Sequence, residues 1–330
     1  MRAAVVDGIG ARWNIRDISR PEPKAGEVLI KIHASGICYT DVHLTQGTIG
    51  AGQLRFPSVL GHEPAGEIVE IGDGVKSRRV GDRVGVAWHQ SSCGRCEWCL
   101  RGKGLFCMEQ VVTGMQRNGS HAEFMIANAD ATMLLPAGIS YEQAAPIFCA
   151  GFTVWSGLRF AFPKPHERIA VVGIGGLGHL AIQYSKAAGF ETIAVTRSGD
   201  KESTIRELGA DEVVADGEGL RNAGGADVIL ATSNSYKAMM DSVKGLRPDG
   251  RLMWMGISGE AMQVPQELFY KRGRIIASTQ NSREHLYEAL DYVAKGKVKA
   301  LVETYTFDQI GKAYDRVVNG KVRYRAVITD

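Results

Sequence analysis

Two patterns of apolar residues divide the chain. Up to about residue 150, short apolar runs alternate with polar positions and are separated by Gly, Pro and Asp, as at Val28, Ile30 and Ile32. A period of two predicts half-buried β-strands, so we expect a β-rich, barrel-like domain with its motifs on loops. From about residue 160, continuous apolar strands alternate with helical periodicity, which predicts a buried parallel sheet covered by helices.

The second pattern predicts an α/β fold with a doubly wound sheet. Predicted helices fall between the strands, for example from Tyr236 to Leu246. The predicted strands are 169–173, 192–195, 228–231, 251–255 and 275–278. From about residue 283 we expect the chain to return to the first domain. The expected domains are therefore residues 1–150 with 283–330, and residues 151–282.

Composition and charge narrow the class of protein. The 330 residues are 45% hydrophobic and 23% charged, which is ordinary for a globular domain pair. The net charge of +3 is weak and no basic run is interleaved with aromatics, which argues against a nucleic-acid partner. The apolar runs are too short to span a membrane, and Asp7 interrupts the region where a signal peptide needs an apolar core. We therefore expect a cytoplasmic protein without a membrane partner.

A lobe at residues 91–108 holds four of the six cysteines. In a reducing compartment, clustered cysteines indicate a metal before disulfides. The expected ligands of this lobe are Cys93, Cys96, Cys99 and Cys107. Two residues lie between Cys93 and Cys96, and two between Cys96 and Cys99. This spacing suits a closed Cys₄ zinc site with a structural role. An iron–sulfur cluster or a nucleic-acid-binding zinc ribbon remains an alternative, although few basic residues lie nearby.

A glycine-rich turn follows the first strand of the second domain. It reads Gly173-Ile174-Gly175-Gly176-Leu177-Gly178 and leads into a helical pattern. The G-x-G-x-x-G match is weak by itself, but between a strand and a helix it indicates a dinucleotide site. Glycines let the backbone approach a pyrophosphate, and the helix N-terminus supplies unpaired N–H groups.

The end of the second predicted strand bears on the choice of nucleotide. An acidic residue that selects NAD is normally found there, about 20 residues after the glycine turn. This chain instead has Thr196, Arg197 and Ser198, and Lys201 lies close behind. Arginine pairs well with a phosphate and the hydroxyls can donate to it, so we expect NADP to be favoured over NAD. Use of NAD, or of both, is the alternative.

A thiol, a hydroxyl, a carboxylate and an imidazole lie within six residues at Cys38–His43. His62, in Gly61-His62-Glu63, and Cys149 add two further candidate ligands. Cys38, His62 and Cys149 make a Cys₂His set, the ligand pattern of the catalytic zinc in alcohol dehydrogenases, which keeps a position open for substrate.

These motifs, in this order, resemble the zinc-dependent medium-chain alcohol dehydrogenase family over nearly the whole chain. The resemblance rests on Cys38–His43, Gly61–Glu63, the cysteine lobe, Cys149-Ala150-Gly151-x-Thr153 and the glycine-rich turn. It implies a GroES-like catalytic domain, a Rossmann domain and hydride transfer between an alcohol and a nicotinamide. It also implies two Zn²⁺ ions per chain and a homo-oligomer, usually a tetramer, with a dimer possible.

The resemblance also implies roles for single residues at the catalytic zinc. The ion binds the alcohol oxygen and lowers its pKa. Thr40 takes the alcohol proton and passes it by the nicotinamide ribose to His43, while Asp41 orients the ring of His62. Glu63 approaches the metal during ligand exchange. Each role has an alternative. Thr40 could be a buried hydroxyl and His43 a surface imidazole. Asp41 could cap a turn, and Glu63 could pair with an Arg.

The remaining implied residues contact the nicotinamide and the substrate. Thr153 packs on the nicotinamide, and Trp88, Leu54 and Phe56 line the substrate pocket, unless they are ordinary core residues. Such a pocket suits aliphatic or benzylic alcohols and aldehydes without selecting strongly between them. A zinc-free quinone or enoyl reductase, or a non-catalytic zinc-ribbon binding protein on the same fold, is the alternative function.

Overall fold

The structure is a computed structural model that describes residues 1–50, 52–197 and 199–329. It divides into two compact units, Met1–Cys149 together with Val302–Asp330, and Ala150–Leu301. None of the helices in the described ranges has the length and apolar character needed to cross a membrane.

Strands and helices follow one another along both units. The strands are β1 (Arg2–Val6), β2 (Asn14–Asp17), β3 (Glu27–Ile37), β4 (Ser58–Val59), β5 (Pro64–Ile71), β6 (Arg83–Val86), β7 (His89–Ser91), β8 (Val111–Val112), β9 (Phe124–Asn128), β10 (Thr132–Leu134), β11 (Ile169–Val172), β12 (Thr192–Val195), β13 (Glu212–Val214), β14 (Ala226–Ala231), β15 (Leu246–Trp254), β16 (Arg274–Ala277), β17 (Val302–Thr306) and β18 (Arg325–Thr329). The α-helices are α1 (Tyr39–Gln46), α2 (Glu97–Leu100), α3 (Tyr141–Ala144), α4 (Ala150–Phe160), α5 (Gly178–Ala187), α6 (Glu202–Glu207), α7 (Gly217–Asn222), α8 (Tyr236–Asp241), α9 (Glu267–Tyr270), α10 (Arg283–Ala294) and α11 (Ile310–Val318).

The main sheet of the first unit is built around β3. Its strand order is β10-β6-β5-β3-β18-β17, and β9 also pairs with β3. Val28, Ile30 and Ile32, the alternating residues of β3, are at most 5% exposed and pack in one apolar cluster. The terminal strand β18 pairs with β3, with Ala326 opposite Ile37, so it lies beside the residue that precedes Cys38. The predicted β-rich first domain and terminal strand are confirmed.

The second unit contains a six-stranded, fully parallel sheet in the order β13-β12-β11-β14-β15-β16. This is the order 3-2-1-4-5-6 of a doubly wound sheet, which binds its ligand where the order reverses, here beside β11. The five predicted strands are present, each within a few residues of its predicted bounds. The pattern did not single out β13, whose three residues are only half-buried.

The chain leaves the second unit later than we expected. Helix α10, which we had assigned to the first domain, belongs to the second unit. The hydroxyl of Tyr184 donates to the carbonyl oxygen of Ala289 at 3.0 Å, and the indole N–H of Trp155 donates to Glu288 at 2.7 Å. These contacts hold α10 against α4 and α5, so the return to the first unit begins at Val302 and the expected boundary at residue 283 is too early.

Candidate active site and metal centres

The turn from β3 into α1 fixes two residues of the site. Cys38 is the N-cap of α1, with φ −97° and ψ 154°. The carboxylate of Asp41, in the first turn of the helix, accepts the backbone N–H of Cys38 at 2.9 Å. This reciprocal arrangement, which resembles a capping box, begins the helix and holds the thiol and the carboxylate in a fixed relation.

Three of the four residues of one candidate metal site are the predicted ligands of the catalytic zinc. Ligand atoms of Cys38, His62, Glu63 and Cys149 all lie within 4.8 Å of one another. The Sγ atoms of Cys38 and Cys149 are 3.7 Å apart, and Nε2 of His62 is 3.3 Å from Sγ of Cys149. Two sulfurs that each lie 2.3 Å from a tetrahedral ion are about 3.8 Å apart, so the spacing fits Zn²⁺.

A buried carboxylate lies behind the histidine of this cluster. Oδ1 of Asp41 is 3.2 Å from Nδ1 of His62, which leaves Nε2 facing the thiols. Burial by itself would raise the pKa of Asp41, but attraction to His62 and the hydrogen bond from its ring hold it well below its ordinary value. Asp41 therefore stays ionised and favours the His62 tautomer that carries its proton on Nδ1.

Glu63 forms a fully buried ion pair with Arg325 of β18. Burial raises the pKa of Glu63 to about 7, although attraction to Arg325 opposes the shift. Oε2 of Glu63 has no hydrogen-bond partner among the described residues. A Cβ at Gly36 would lie only 2.0 Å from that oxygen, so the absence of a side chain at Gly36 makes room for it.

Helix α1 carries the two residues expected to move the proton. Thr40 and His43 are three positions apart, so their side chains lie on one face of the helix. Thr40 is half-buried and His43 is buried, with its ring edge-on to Tyr39 at a centroid distance of 4.9 Å. The alternative of a surface imidazole at His43 is therefore wrong.

Of the expected pocket residues, Trp88 lies beside the metal-facing side chains. The ring of Trp88 is perpendicular to that of His62, with centroids 5.0 Å apart. Leu54 and Phe56 are half-buried and pack against the apolar cluster that contains Leu44 and Leu60. An aromatic surface thus borders one metal-facing side chain.

The four cysteines of the lobe form the second candidate metal site. Their sulfur atoms lie within 4.8 Å of one another, and all six cysteines of the chain are free thiols. Sγ of Cys99 is 3.5 Å from that of Cys96 and 3.9 Å from that of Cys93. Cys107 accepts the backbone N–H of Cys93 at 3.4 Å, which closes the lobe. Four sulfurs at these separations fit one tetrahedral Zn²⁺ without an open position.

Each glycine of the G-x-G-x-x-G pattern has its own geometric reason in this turn. Gly173 has φ +88°, a conformation that favours glycine. A Cβ at Gly178 would lie 2.2 Å from the carbonyl oxygen of Gly173, so α5 packs directly on the turn. A Cβ at Gly175 would meet nothing within 4 Å, so this backbone is open to a ligand. The turn fits a pyrophosphate at the N-terminus of α5.

Other expected cofactor residues lie in the second unit. Gly176 and Leu177 complete the turn, and Leu177 is the N-cap of α5. Thr196 follows β12 and donates its backbone N–H to Val214 at 2.9 Å. Among the remaining expected residues, Arg197 is exposed, Lys201 and Thr153 are half-buried, and Ser198 lies outside the described residues.

Two residues near the first metal site were not predicted from the sequence. His121 is fully buried and lies 3.7 Å from Oδ2 of Asp41, and Arg325 pairs with Glu63. Neither belongs to a motif. The only signal for Arg325 was a basic residue within an otherwise apolar strand pattern, Tyr324–Ile328.

Comparison with known proteins gives the family. The model of the alcohol dehydrogenase GroES-like domain matches residues 24–137, and that of the zinc-binding dehydrogenase matches residues 176–295. An alcohol dehydrogenase from Geobacillus stearothermophilus is 37% identical, over 99% of each chain. The chain belongs to the zinc-dependent medium-chain alcohol dehydrogenase family. An alcohol dehydrogenase from Moraxella sp. is also 37% identical, over 99% of each chain.

Solved structures of this family have the same fold. The alcohol dehydrogenase of the archaeon Aeropyrum pernix has a TM-score of 0.92 at 28% identity, with both chains covered completely. A structure described as an NAD-dependent alcohol dehydrogenase also has a TM-score of 0.92 at 28% identity and the same coverage. The predicted pairing of a GroES-like with a Rossmann domain is confirmed. The chain is an oxidoreductase of the alcohol dehydrogenase class.

Proposed function

We propose that this alcohol dehydrogenase transfers a hydride between an aliphatic or benzylic alcohol and NADP, at a catalytic zinc held by Cys38, His62 and Cys149. The observation that carries the proposal is the meeting of these three side chains, with the two sulfurs 3.7 Å apart. When bound, Zn²⁺ supplies a Lewis acid that polarises the oxygen of the alcohol or aldehyde.

The residues around this cluster have distinct tasks. Asp41 holds the His62 ring so that Nε2 faces the thiols. The hydroxyl of Thr40 takes the proton of the substrate, and His43, on the same face of α1, holds the proton next. Glu63 offers a carboxylate oxygen to the site when ligands exchange, and Arg325 keeps that carboxylate from turning away.

The second unit binds the nucleotide at the glycine-rich turn. The nicotinamide cofactor supplies the hydride acceptor or donor. Gly173, Gly175, Gly176, Leu177 and Gly178 form the phosphate cradle, and Thr153 packs on the nicotinamide ring. The exposed guanidinium of Arg197 pairs with the 2′-phosphate of NADP. Thr196, Ser198 and Lys201 are expected to assist it, and the sequence from Thr196 to Gly199 contains no carboxylate that would repel the phosphate.

The nucleotide preference is tested by initial rates of aldehyde reduction. We expect a higher kcat/KM with NADPH than with NADH, using benzaldehyde and a short aliphatic aldehyde. Arg197→Ala should reduce the advantage of NADPH about 10- to 150-fold, because a charge-assisted hydrogen bond contributes about 1.5–3 kcal/mol. Arg206→Ala is the matched control, since Arg206 is also exposed but pairs with Glu202 within α6. Faster turnover with NADH would contradict the proposal.

The Cys₄ lobe is proposed to hold a second, structural zinc. Its ligand set is complete, which suits a role in folding and not in turnover. Elemental analysis should find about two zinc ions per chain. One ion per chain would indicate that only the lobe is filled, as expected of a non-catalytic zinc-ribbon protein. No zinc beyond trace amounts would favour a quinone or enoyl reductase.

We also propose that the protein acts in the cytoplasm as a homo-oligomer, a tetramer or a dimer. Six free thiols are consistent with a reducing compartment. Light scattering coupled to size-exclusion chromatography measures the number of chains, and a monomer would contradict the assembly.

A further inference from the structure

His121 lies in a buried polar network that reaches the candidate catalytic metal site. It is 1% exposed, and its ring packs against Trp13 with centroids 4.7 Å apart. Nε2 of His121 is 3.7 Å from Oδ2 of Asp41 and has no hydrogen-bond partner among the described residues. Oδ1 of the same carboxylate is 3.2 Å from Nδ1 of His62. One buried carboxylate therefore lies between two buried histidines.

The hydrogen on each pair of atoms in this network can be assigned from the acceptor at its end. A carboxylate only accepts, so Nε2 of His121 carries the hydrogen that faces Asp41. Nδ1 of a neutral His121 then accepts from the hydroxyl of Ser35, 2.9 Å away. That hydroxyl in turn accepts from Ser120 at 2.7 Å. Hydrogen bonds therefore run from Ser120 through Ser35 to His121, whose Nε2 faces Asp41, the partner of His62, at 3.7 Å.

The backbone around His121 also supports the segment that carries His62. The N–H of Ser120 donates to Gly61 at 3.0 Å, and the N–H of His121 donates to Leu60 at 3.0 Å. A Cβ at Gly61 would lie 2.8 Å from Nδ1 of His121, so the two segments are in direct contact. The N–H of Gly61 points to Oδ1 of Asp41 at 3.3 Å.

We infer that His121 is a positioning residue for the catalytic metal: together with the backbone N–H of Cys38 it confines the second oxygen of Asp41, so that the first oxygen keeps the His62 ring in its ligating orientation. This inference rests on the proposed zinc site. Residues that orient a ligand commonly change metal affinity by 10- to 100-fold. Because His121 acts through Asp41, we expect an effect of about tenfold.

The test is the rate at which a chromogenic chelator removes zinc from the full-length holoenzyme. The phase that is lost in Cys149→Ser identifies the catalytic ion. His121→Phe keeps the ring on Trp13 and removes both nitrogens, so release of that ion should be about tenfold faster. His121→Gln, which restores an N–H donor of similar reach, should return the rate to within about threefold of the original. Release of the lobe ion should not change.

Two comparisons separate this role from general packing. His33→Phe alters another ring of the first unit, stacked on Tyr141 with centroids 4.6 Å apart, and should leave the release rate unchanged. The Tm of each variant shows whether faster release only follows destabilisation. His121→Phe with original release rates, or equal acceleration in His121→Phe and His121→Gln, overturns the inference. A wild-type protein without a catalytic-ion phase overturns the proposed zinc site itself.

Discussion

Two alanine substitutions in the glycine-rich turn should separate nucleotide binding from folding. Gly175→Ala adds a methyl group where nothing lies within 4 Å, at a residue whose φ is compatible with a side chain. Gly178→Ala places its Cβ 2.2 Å from the carbonyl oxygen of Gly173 and 3.0 Å from the carbonyl carbon. The first change fills the space that is open to a ligand, whereas the second pushes α5 away from the turn.

The expected magnitudes differ in kind. Overpacking at Gly178 should lower the free energy of unfolding by about 1–3 kcal/mol, which corresponds to a Tm about 2–12 °C lower in a unit of this size. Gly175→Ala should leave stability within about 0.5 kcal/mol. It should block a hydrogen bond between a backbone N–H and a phosphate, which contributes about 1.5–3 kcal/mol, so Kd for the nucleotide should rise about 10- to 150-fold.

Calorimetry without nucleotide measures Tm, and a fluorescence titration with NADPH measures Kd. Gly311→Ala, in α11 of the first unit, is the control because its Cβ also meets nothing within 4 Å, and it should change neither quantity. Original nucleotide affinity in Gly175→Ala would refute the placement of the phosphate cradle. An unchanged Tm in Gly178→Ala would refute the close packing of α5 on the turn.

Three further changes test the metal sites and a buried ion pair. Asp41→Asn should lower kcat/KM and accelerate loss of the catalytic ion by about 10- to 100-fold, because the amide holds the wrong His62 tautomer; unchanged metal release would contradict this. Cys107→Ser should reduce zinc content by about one ion per chain and lower Tm, whereas a full complement would show that the lobe binds no metal through this thiol. Burial raises the pKa of Glu167, but hydrogen bonds from Arg251 and from the backbone N–H of Lys164, together with attraction to both side chains, lower it, and the net shift is downward. The stabilisation is therefore present above about pH 4.3 and lost as the pH falls through the lowered pKa, so the Tm difference from Glu167→Gln should shrink in acid; a difference that grows in acid would contradict it.

The sequence predicted those parts of the fold that depend on neighbours along the chain. The strand of Val28, Ile30 and Ile32 and the turn at Gly173–Gly178 follow from local periodicity and from backbone conformation, which a short segment specifies. The apolar pattern of the sequence did not indicate β13, because a short, half-buried strand has too few apolar residues to form a pattern. The start of the return to the first unit was also misplaced, because a helix pattern does not say which sheet the helix packs on.

The sequence by itself determined the kinds of chemistry available: the thiols, the imidazole and the glycine turn at spacings that suit zinc and a dinucleotide. Only the tertiary structure decided which charges meet. Glu63 pairs with Arg325 because β18 pairs with β3 in one register, with Ala326 opposite Ile37. His121 reaches Asp41 through a similar long-range pairing of segments. Such contacts depend on how distant strands align, and no local pattern of residues encodes that alignment.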